Sequence, residues 1–223
     1  MARTVGSSGP KTMEAIRSAG LDLIYEFGYE GMSLRQLAAK VGIQQGSLYN
    51  HIRSKQDLLL DLIRDYMETL LESLDTTLVS VESPLDRLRS FVDFHVTYHV
   101  KRKREVFVVN SELRSLEPQN YRIATELRGL YERQLIAILQ SGVAEGAFEI
   151  TDVPVAAFGI IGMLSGICAW YDPKGRLDRA SLSAIYVEMV LKSVGARKTL
   201  SMENAASGRG ALSRPERRAR RAG

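Results

Sequence analysis

Between Ser33 and Ile52 the chain has to start one helix, stop it and start another across Gly42-Ile43, and few folds accommodate that. Ser33 and Gln36 have the spacing of a capping box, in which each side chain satisfies a free amide at the helix start. Met32 and Leu37 stand where a hydrophobic staple requires them, so the start is marked twice. Gly42 supplies a left-handed residue that ends the helix without a Cβ penalty. The second helix then runs from Gln44 to about His51, and so short a turn forces a large crossing angle. Leu48 and Ile52, four residues apart, can pack back on Leu37, Ala38 and Val41.

That packing turns Gln44, Gln45, Ser47, Tyr49 and Asn50 outward. Amide side chains read base edges in the major groove, and a tyrosine hydroxyl or an asparagine fixes a phosphate. Gly46 removes a side chain where such a helix must approach a backbone closely. Ser54-Lys55 opens the next helix, so free amides, the positive helix end and an ammonium converge on a phosphate-sized spot. Ser33 can meet phosphate in the same way. The bland alternative is a polar corner of a larger bundle, but the combined string is more specific than any one cap.

Helical spacing recurs along the rest of the chain, with no strand-like alternation. Nine helices are expected. The first places Met13, Ile16, Gly20, Leu23 and Phe27 on one face and is stopped by Gly28. The next two are 33–41 and 44–51, and a long fourth helix starts at Ser54 and continues toward Leu78. Ser83-Pro84 caps and pre-sets another, and the remaining four fall near 104–115, 118–145, 153–171 and 179–194. The organisation expected is a flexible N-terminus (1–9), a helix-turn-helix head (10–54), a helical body (55–195) and a tail (196–223).

Charge is distributed unevenly along the 223 residues. Residues 196–223 carry eight basic and two acidic side chains, 1–60 seven and five, and 61–195 fifteen and nineteen. A mildly acidic middle between two basic ends does not resemble a chain that coats nucleic acid with its whole surface. The Ala/Gly/Ser/Arg-rich tail lacks apolar periodicity and reads as disordered. Its charge would add salt-sensitive, sequence-independent affinity for DNA, though solubility explains it equally well. A single cysteine, Cys168, rules out a disulfide framework and suits the cytoplasm, and Met1 to Pro10 has no apolar leader region.

Residues from about Thr12 to Leu60 resemble the DNA-binding head of the TetR/AcrR family of bacterial transcriptional regulators. The matching residues are Ser33-Leu34-Arg35-Gln36-Leu37-Ala38, Gly46-Ser47-Leu48-Tyr49-Asn50-His51 and Ser54-Lys55-Gln56-Asp57-Leu58, with Ile52 where the family usually has phenylalanine. The resemblance implies an all-α fold: a three-helix head joined by a long helix to a ligand-binding and dimerisation domain. It implies that Tyr49 and Lys55 hold phosphates while Gln44, Gln45 and Asn50 lie nearest the bases. Ser33, Arg35, Gly46, Ser47 and His51 complete the expected DNA surface.

In the body, Val153 to Tyr171 carries no charge. Its composition is rich in Ala, Gly and Ser, Asp152 and Asp172 flank it, and no basic cluster orients it, so a buried or dimer-interface helix is preferred to a membrane span. Gly159, Gly162 and Gly166 form a small stripe, and the helix carrying Leu182, Ile185 and Met189 would pair with it. By resemblance these two helices bundle with those of a second subunit, giving a homodimer with two heads for two half-sites of double-stranded operator DNA.

The resemblance also implies a ligand cavity among helices near 84–146. Candidate pocket residues are His95, His99, Asn110, Glu112, Arg114, Arg128 and Tyr131, with Met163 and Trp170 from the apolar helix. His95 and His99 stand one turn apart but lack a Glu-x-x-His motif or a cysteine partner, so neither metal nor cofactor is expected. Lys101-Arg102-Lys103-Arg104 reads most simply as a solvated basic turn, with an acidic ligand at the cavity mouth or a DNA flank as the alternatives. Trp170-Tyr171-Asp172-Pro173-Lys174-Gly175 and Asn110-Ser111-Glu112-Leu113-Arg114 are similar to the regulators of fatty-acid and steroid breakdown within the family, which implies a hydrophobic effector such as an acyl-CoA. No nucleophile–base pair or glycine-rich phosphate loop is legible, so an enzyme is not expected. An architectural or constitutive DNA-binding protein with no small-molecule ligand is the alternative.

Overall fold

The computed structural model describes residues 9–196, and among them every regular element is helical. Helix α1 (Gly9–Gly31) starts earlier than its apolar periodicity indicated. It breaks at Gly28, whose φ of 73° only glycine adopts freely, and one further turn carries the chain to Gly31. Ile16, Leu23 and Ile24 bury one face of α1 against α2 and α4. A Cβ at Gly20 would stand 2.9 Å from Leu58, so a glycine there lets α1 lie close on α4.

Helix α2 (Leu34–Val41) has the expected cap: the Gln36 amide donates to Ser33 Oγ at 3.2 Å, and the Ser33 amide donates to Gln36 Oε1 at 2.9 Å. Gly42, at φ 78°, closes it in the left-handed region. Helix α3 is shorter than expected, with regular structure only over Gln45–Leu48. Beyond Leu48 the amides of Asn50 and His51 bond three residues back, so the chain tightens before Ile52 drops into the core. We call α1–α3 the head.

Helix α4 (Lys55–Leu78), capped by Ser54, runs from the head into the body. Helix α5 (Pro84–Lys101) begins at Ser83-Pro84 as expected, and Arg102 breaks it from α6 (Lys103–Ser111). A 3₁₀ turn (Leu113–Ser115) leads into α7 (Pro118–Ala144). Helices α8 (Val153–Ser165) and α9 (Ile167–Trp170) are one helical run bent at Gly166, and α10 (Arg179–Ser193) ends the described chain. Counting that bent run once gives nine helices among the described residues, as periodicity indicated.

The core sits between α4, α5, α7 and α8, with α6 wedged between α1 and α4 and α10 laid along α5. A Cβ at Gly142 would stand 2.0 Å from the buried Phe148 ring, so the end of α7 has room only for glycine. Of the expected flexible N-terminus 1–9 and basic tail 196–223, only Gly9, which opens α1, and Ala196 are among the described residues.

Candidate nucleic-acid interface and ligand cavity

The head buries Leu37, Ala38, Leu48 and Ile52 together, which leaves one polar surface. Gln44, Gln45, Tyr49 and Asn50 are exposed, Ser47 and His51 are half-buried beside them, and Ser33 and Arg35 are exposed on α2. No atom lies within 4 Å of where a Gly46 Cβ would be. Among the described residues nothing requires glycine at position 46.

Lys55 is less free than its sequence position implied. Its ammonium sits 4.2 Å from the centroid of the Tyr29 ring and 3.4 Å from the Glu30 carbonyl, so it stands at the head's edge with its charge directed along α1.

Ion pairs and hydrogen bonds tie the head to the body and brace the head itself. Arg17 of α1 pairs with Asp61 of α4 at 2.6 Å, and Asp22 of α1 takes both Lys40 of α2 (3.0 Å) and Arg104 of α6 (2.6 Å). The Lys40 hydrogen bond, aided by Arg104, lowers the Asp22 carboxyl below its usual range. Glu112, expected in the pocket, instead reaches across to accept from the Tyr29 amide (3.3 Å) and from Ser115 Oγ (2.8 Å). Gln56, at the start of α4, donates to Tyr29 Oη (2.9 Å) and the Ser115 carbonyl (2.7 Å), and accepts from the Glu117 amide (3.0 Å).

The basic run at 101–104 is only partly the solvated turn that its charge suggested: Lys101 is exposed, but the other three have partners within the chain. Arg102 lies 3.9 Å over the Tyr98 ring, Lys103 donates to the Tyr171 carbonyl, and Arg104 makes the ion pair with Asp22. Sequence reasoning missed these partners because Asp22 and Tyr171 are far away along the chain.

Within the body a small cavity is lined by His95 and His99 of α5, Asn110 of α6, and Arg128 and Tyr131 of α7. Its open volume is about 40 Å³, room for a few water molecules. Tyr66, Met67 and Leu70 of α4, Val106 and Val109 of α6 and Ile161 of α8 also line it, and Tyr66 had no signal in the sequence beyond its helical spacing. His95 Nδ1 lies 2.9 Å from Tyr131 Oη, and His99 Nδ1 donates to the His95 carbonyl at 2.9 Å. The two imidazoles stack in parallel, centroids 3.8 Å apart. Burial holds both rings neutral: His95 falls well below its ordinary value and His99 to about 4. Burial likewise raises the Tyr66 and Tyr131 phenols. No group of three potential metal ligands occurs among the described residues.

Met163 and Trp170 do not line that cavity. Met163 packs on the outer side of the core, and the Trp170 ring is 56% exposed while its neighbour Tyr171 is buried. Register explains the reversal: Ala157, Ile160, Leu164 and Ile167 face the core, which turns the other side of the run outward. That outer side carries Val155 (65% exposed), Phe158, Gly159, Gly162 and Gly166. No atom lies within 4 Å of a Cβ built at Gly159 or Gly162. On α10, Ile185 and Met189 are also exposed, but Leu182 is buried in the core, so the expectation of Leu182 as an outward interface residue is corrected. Within one chain α10 rests chiefly on α5 rather than on the glycine stripe. Val153–Trp170 is long and apolar enough to cross a membrane, with 22% of it buried.

Comparisons with known proteins match both regions. Residues 16–62 match the family described as "Bacterial regulatory proteins, tetR family", and residues 81–194 match "Tetracyclin repressor-like, C-terminal domain". The chain is 28% identical over 171 residues to the HTH-type transcriptional repressor KstR2 of Mycolicibacterium smegmatis, covering 75% of this chain and 82% of that one. It is similar to a solved tetR-family bacterial regulatory protein from Rhodococcus RHA1, with a TM-score of 0.80 and 26% identity, covering 86% of this chain and all of the other. It is also similar to AibR, solved in complex with isovaleryl coenzyme A and operator DNA, with a TM-score of 0.74 and 26% identity over 80% of this chain and 97% of that one. A capped helix-turn-helix and a helical body, each matched by its own half of one family, are what a regulator of this kind consists of, and the chain belongs to the TetR family of bacterial transcriptional regulators.

Proposed function

We propose that the protein is a ligand-responsive repressor that acts in the cytoplasm as a homodimer on palindromic operator DNA. In this reading residues 10–54 read the DNA, 55–195 bind effector and partner subunit, and a small hydrophobic effector of the acyl-CoA type releases the operator. The observation that carries it is the double membership of α6. Val106, Val109 and Asn110 of this helix line the cavity, while Arg104 and the adjoining Glu112 grip Asp22 and Tyr29 of the head. A ligand that enlarges the cavity by displacing α6 or α4, two of the five helices that line it, strains the Tyr29–Gln56–Glu112–Ser115 network. The effector works only to the extent that it binds the released state more tightly, and moving most of the population takes about 5 kcal/mol of preference.

Tyr49, Gln44, Gln45 and Asn50 are the residues for base edges and phosphates, with Ser33, Arg35, Ser47, His51 and Lys55 around them. The exposed apolar side of α8 and α10 is the dimer contact: Gly159, Gly162 and Gly166 allow close approach, and Val155, Phe158, Ile185 and Met189 supply the area removed from water. AibR, solved with isovaleryl coenzyme A and operator DNA, supports a thioester effector here. A constitutive regulator without an effector is the second reading, and the small size of the cavity favours it.

Fluorescence anisotropy on a duplex from upstream of the protein's own gene, at fixed salt, separates the two readings. Tight, competitor-resistant binding reversed by long-chain acyl-CoA, and not by the free fatty acid, is expected. Binding that neither compound disturbs would discard the lipid effector, and absence of specific binding would discard the operator reading itself.

A further inference from the structure

Three buried side-chain polar atoms among the described residues have no hydrogen-bond partner: Tyr66 Oη, His95 Nε2 and Tyr98 Oη. Two of the three belong to residues that line the small body cavity. A buried polar group left unpaired costs about 1–3 kcal/mol, so two at one cavity mark a place where a ligand atom is expected. We infer that the deep end of this cavity is built for one uncharged oxygen acceptor, a ketone, ester or thioester carbonyl, on an otherwise apolar ligand, received by the His95 imidazole and the Tyr66 hydroxyl. The inference rests on the reading that the body takes a small-molecule effector, and it names the chemistry of that effector.

The proton positions follow from the partners. The Tyr131 hydroxyl has His95 Nδ1 as its only partner among the described residues, at 2.9 Å, and satisfies both groups by donating to it. Nε2 of His95 then carries the ring proton and is a donor, and the Tyr66 hydroxyl is a second donor. A carbonyl oxygen has two lone pairs and so has the capacity to accept from both. A carboxylate does not fit this end. The parallel stack of His95 on His99 opposes a proton on either ring, and burial keeps both neutral, so no deep cation faces the site. The nearest guanidinium, Arg128, stands at the rim, bonded to the exposed Asn110 at 3.1 Å, with Glu132 beside it. Burying an anion without a counter-charge is costly, while Met67, Leu70, Val106, Val109 and Ile161 suit an aliphatic remainder.

The test is calorimetric titration of the full chain, without DNA, with three probes of similar length: 2-nonanone, nonanoate and 1-chlorooctane. At pH 7.5 the ketone is expected to bind about tenfold more tightly than the chloroalkane, and nonanoate more weakly than either. Tyr66→Phe removes only an unpartnered hydroxyl, so it should keep the far-ultraviolet circular dichroism spectrum and leave the melting temperature equal or higher. It should bring the ketone to within about threefold of the chloroalkane, and His95→Phe should do the same where it folds. Equal binding of ketone and chloroalkane by the unaltered protein overturns the inference, because the two donors then serve only structural water. A ketone preference that survives Tyr66→Phe, or no binding of any probe, overturns it equally. A protein that selects the ketone but never releases its operator would keep this site and remove the effector reading.

Discussion

The head and the body close on different interiors. Ile16, Leu23, Leu37, Leu48 and Ile52 fill the head, and apart from the buried Tyr29 its hydrogen-bonding side chains lie outside or half-buried. The body buries His95, His99, Tyr66 and Tyr131 among its aliphatic residues. An aliphatic interior is the low-cost way to hold a surface rigid, because nothing inside it needs a partner. A polar interior costs free energy unless something completes it. On the function proposed above, the head presents groups to a partner outside and the body admits one.

The largest expected effect breaks the head alone. Leu48 is fully buried, so Leu48→Ala should destabilise by about 3 kcal/mol and abolish operator binding, while the body cavity keeps its ligand affinity. Denaturant melts with and without ligand check this, and a parallel loss of ligand affinity would show that the two interiors are one. The body answers to pH instead. His99 titrates at about 4 in the fold and near 6.5 unfolded, so below pH 6.5 the unfolded chain takes up the proton first and stability falls with pH. From pH 6.5 to 5 that histidine alone should remove about 1–2 kcal/mol, and His99→Phe should reduce the loss over that range by that amount. An unchanged slope would mean that the ring is not buried neutral.

The link between the regions is smaller. Gln56 bonds Tyr29, Ser115 and Glu117 at once, so Gln56→Ala should leave operator affinity without ligand nearly intact and weaken the ligand's effect on it by about 1 kcal/mol, roughly fivefold. Anisotropy titrations at several ligand concentrations give that coupling directly. Smallest of all is the stability change at Gly46, where a methyl meets open space: Gly46→Ala should move the melt by less than about 0.5 kcal/mol while operator affinity falls. An unchanged operator affinity would remove Gly46 from the DNA surface.

Local signals made the head legible. A cap at Ser33, a stop at Gly42 and the spacing of Leu48 and Ile52 all act over a few residues, and each is found where its spacing indicated. The charges at 101–104 were misread because their partners, Asp22 and Tyr171, come from α1 and from beyond α9. Glu112 looked like a pocket residue and is a clasp on Tyr29 for the same reason. Trp170 and Leu182 were placed on the wrong sides because apolar residues occupy both faces of their helices, and periodicity cannot tell a face that meets its own core from one that meets another subunit.

Sequence alone therefore determined the helical class, the position of the helix-turn-helix and the family, because helix starts, stops and faces are written in side chains three or four residues apart. Only the tertiary structure decided which histidine nitrogen is left without a partner, which tyrosine shares its cavity, and which side chains tie α6 to the head. Those relations join residues up to 83 positions apart, as Tyr29 and Glu112 are, and no spacing rule reaches that far: the packing of α1, α4 and α6 sets them.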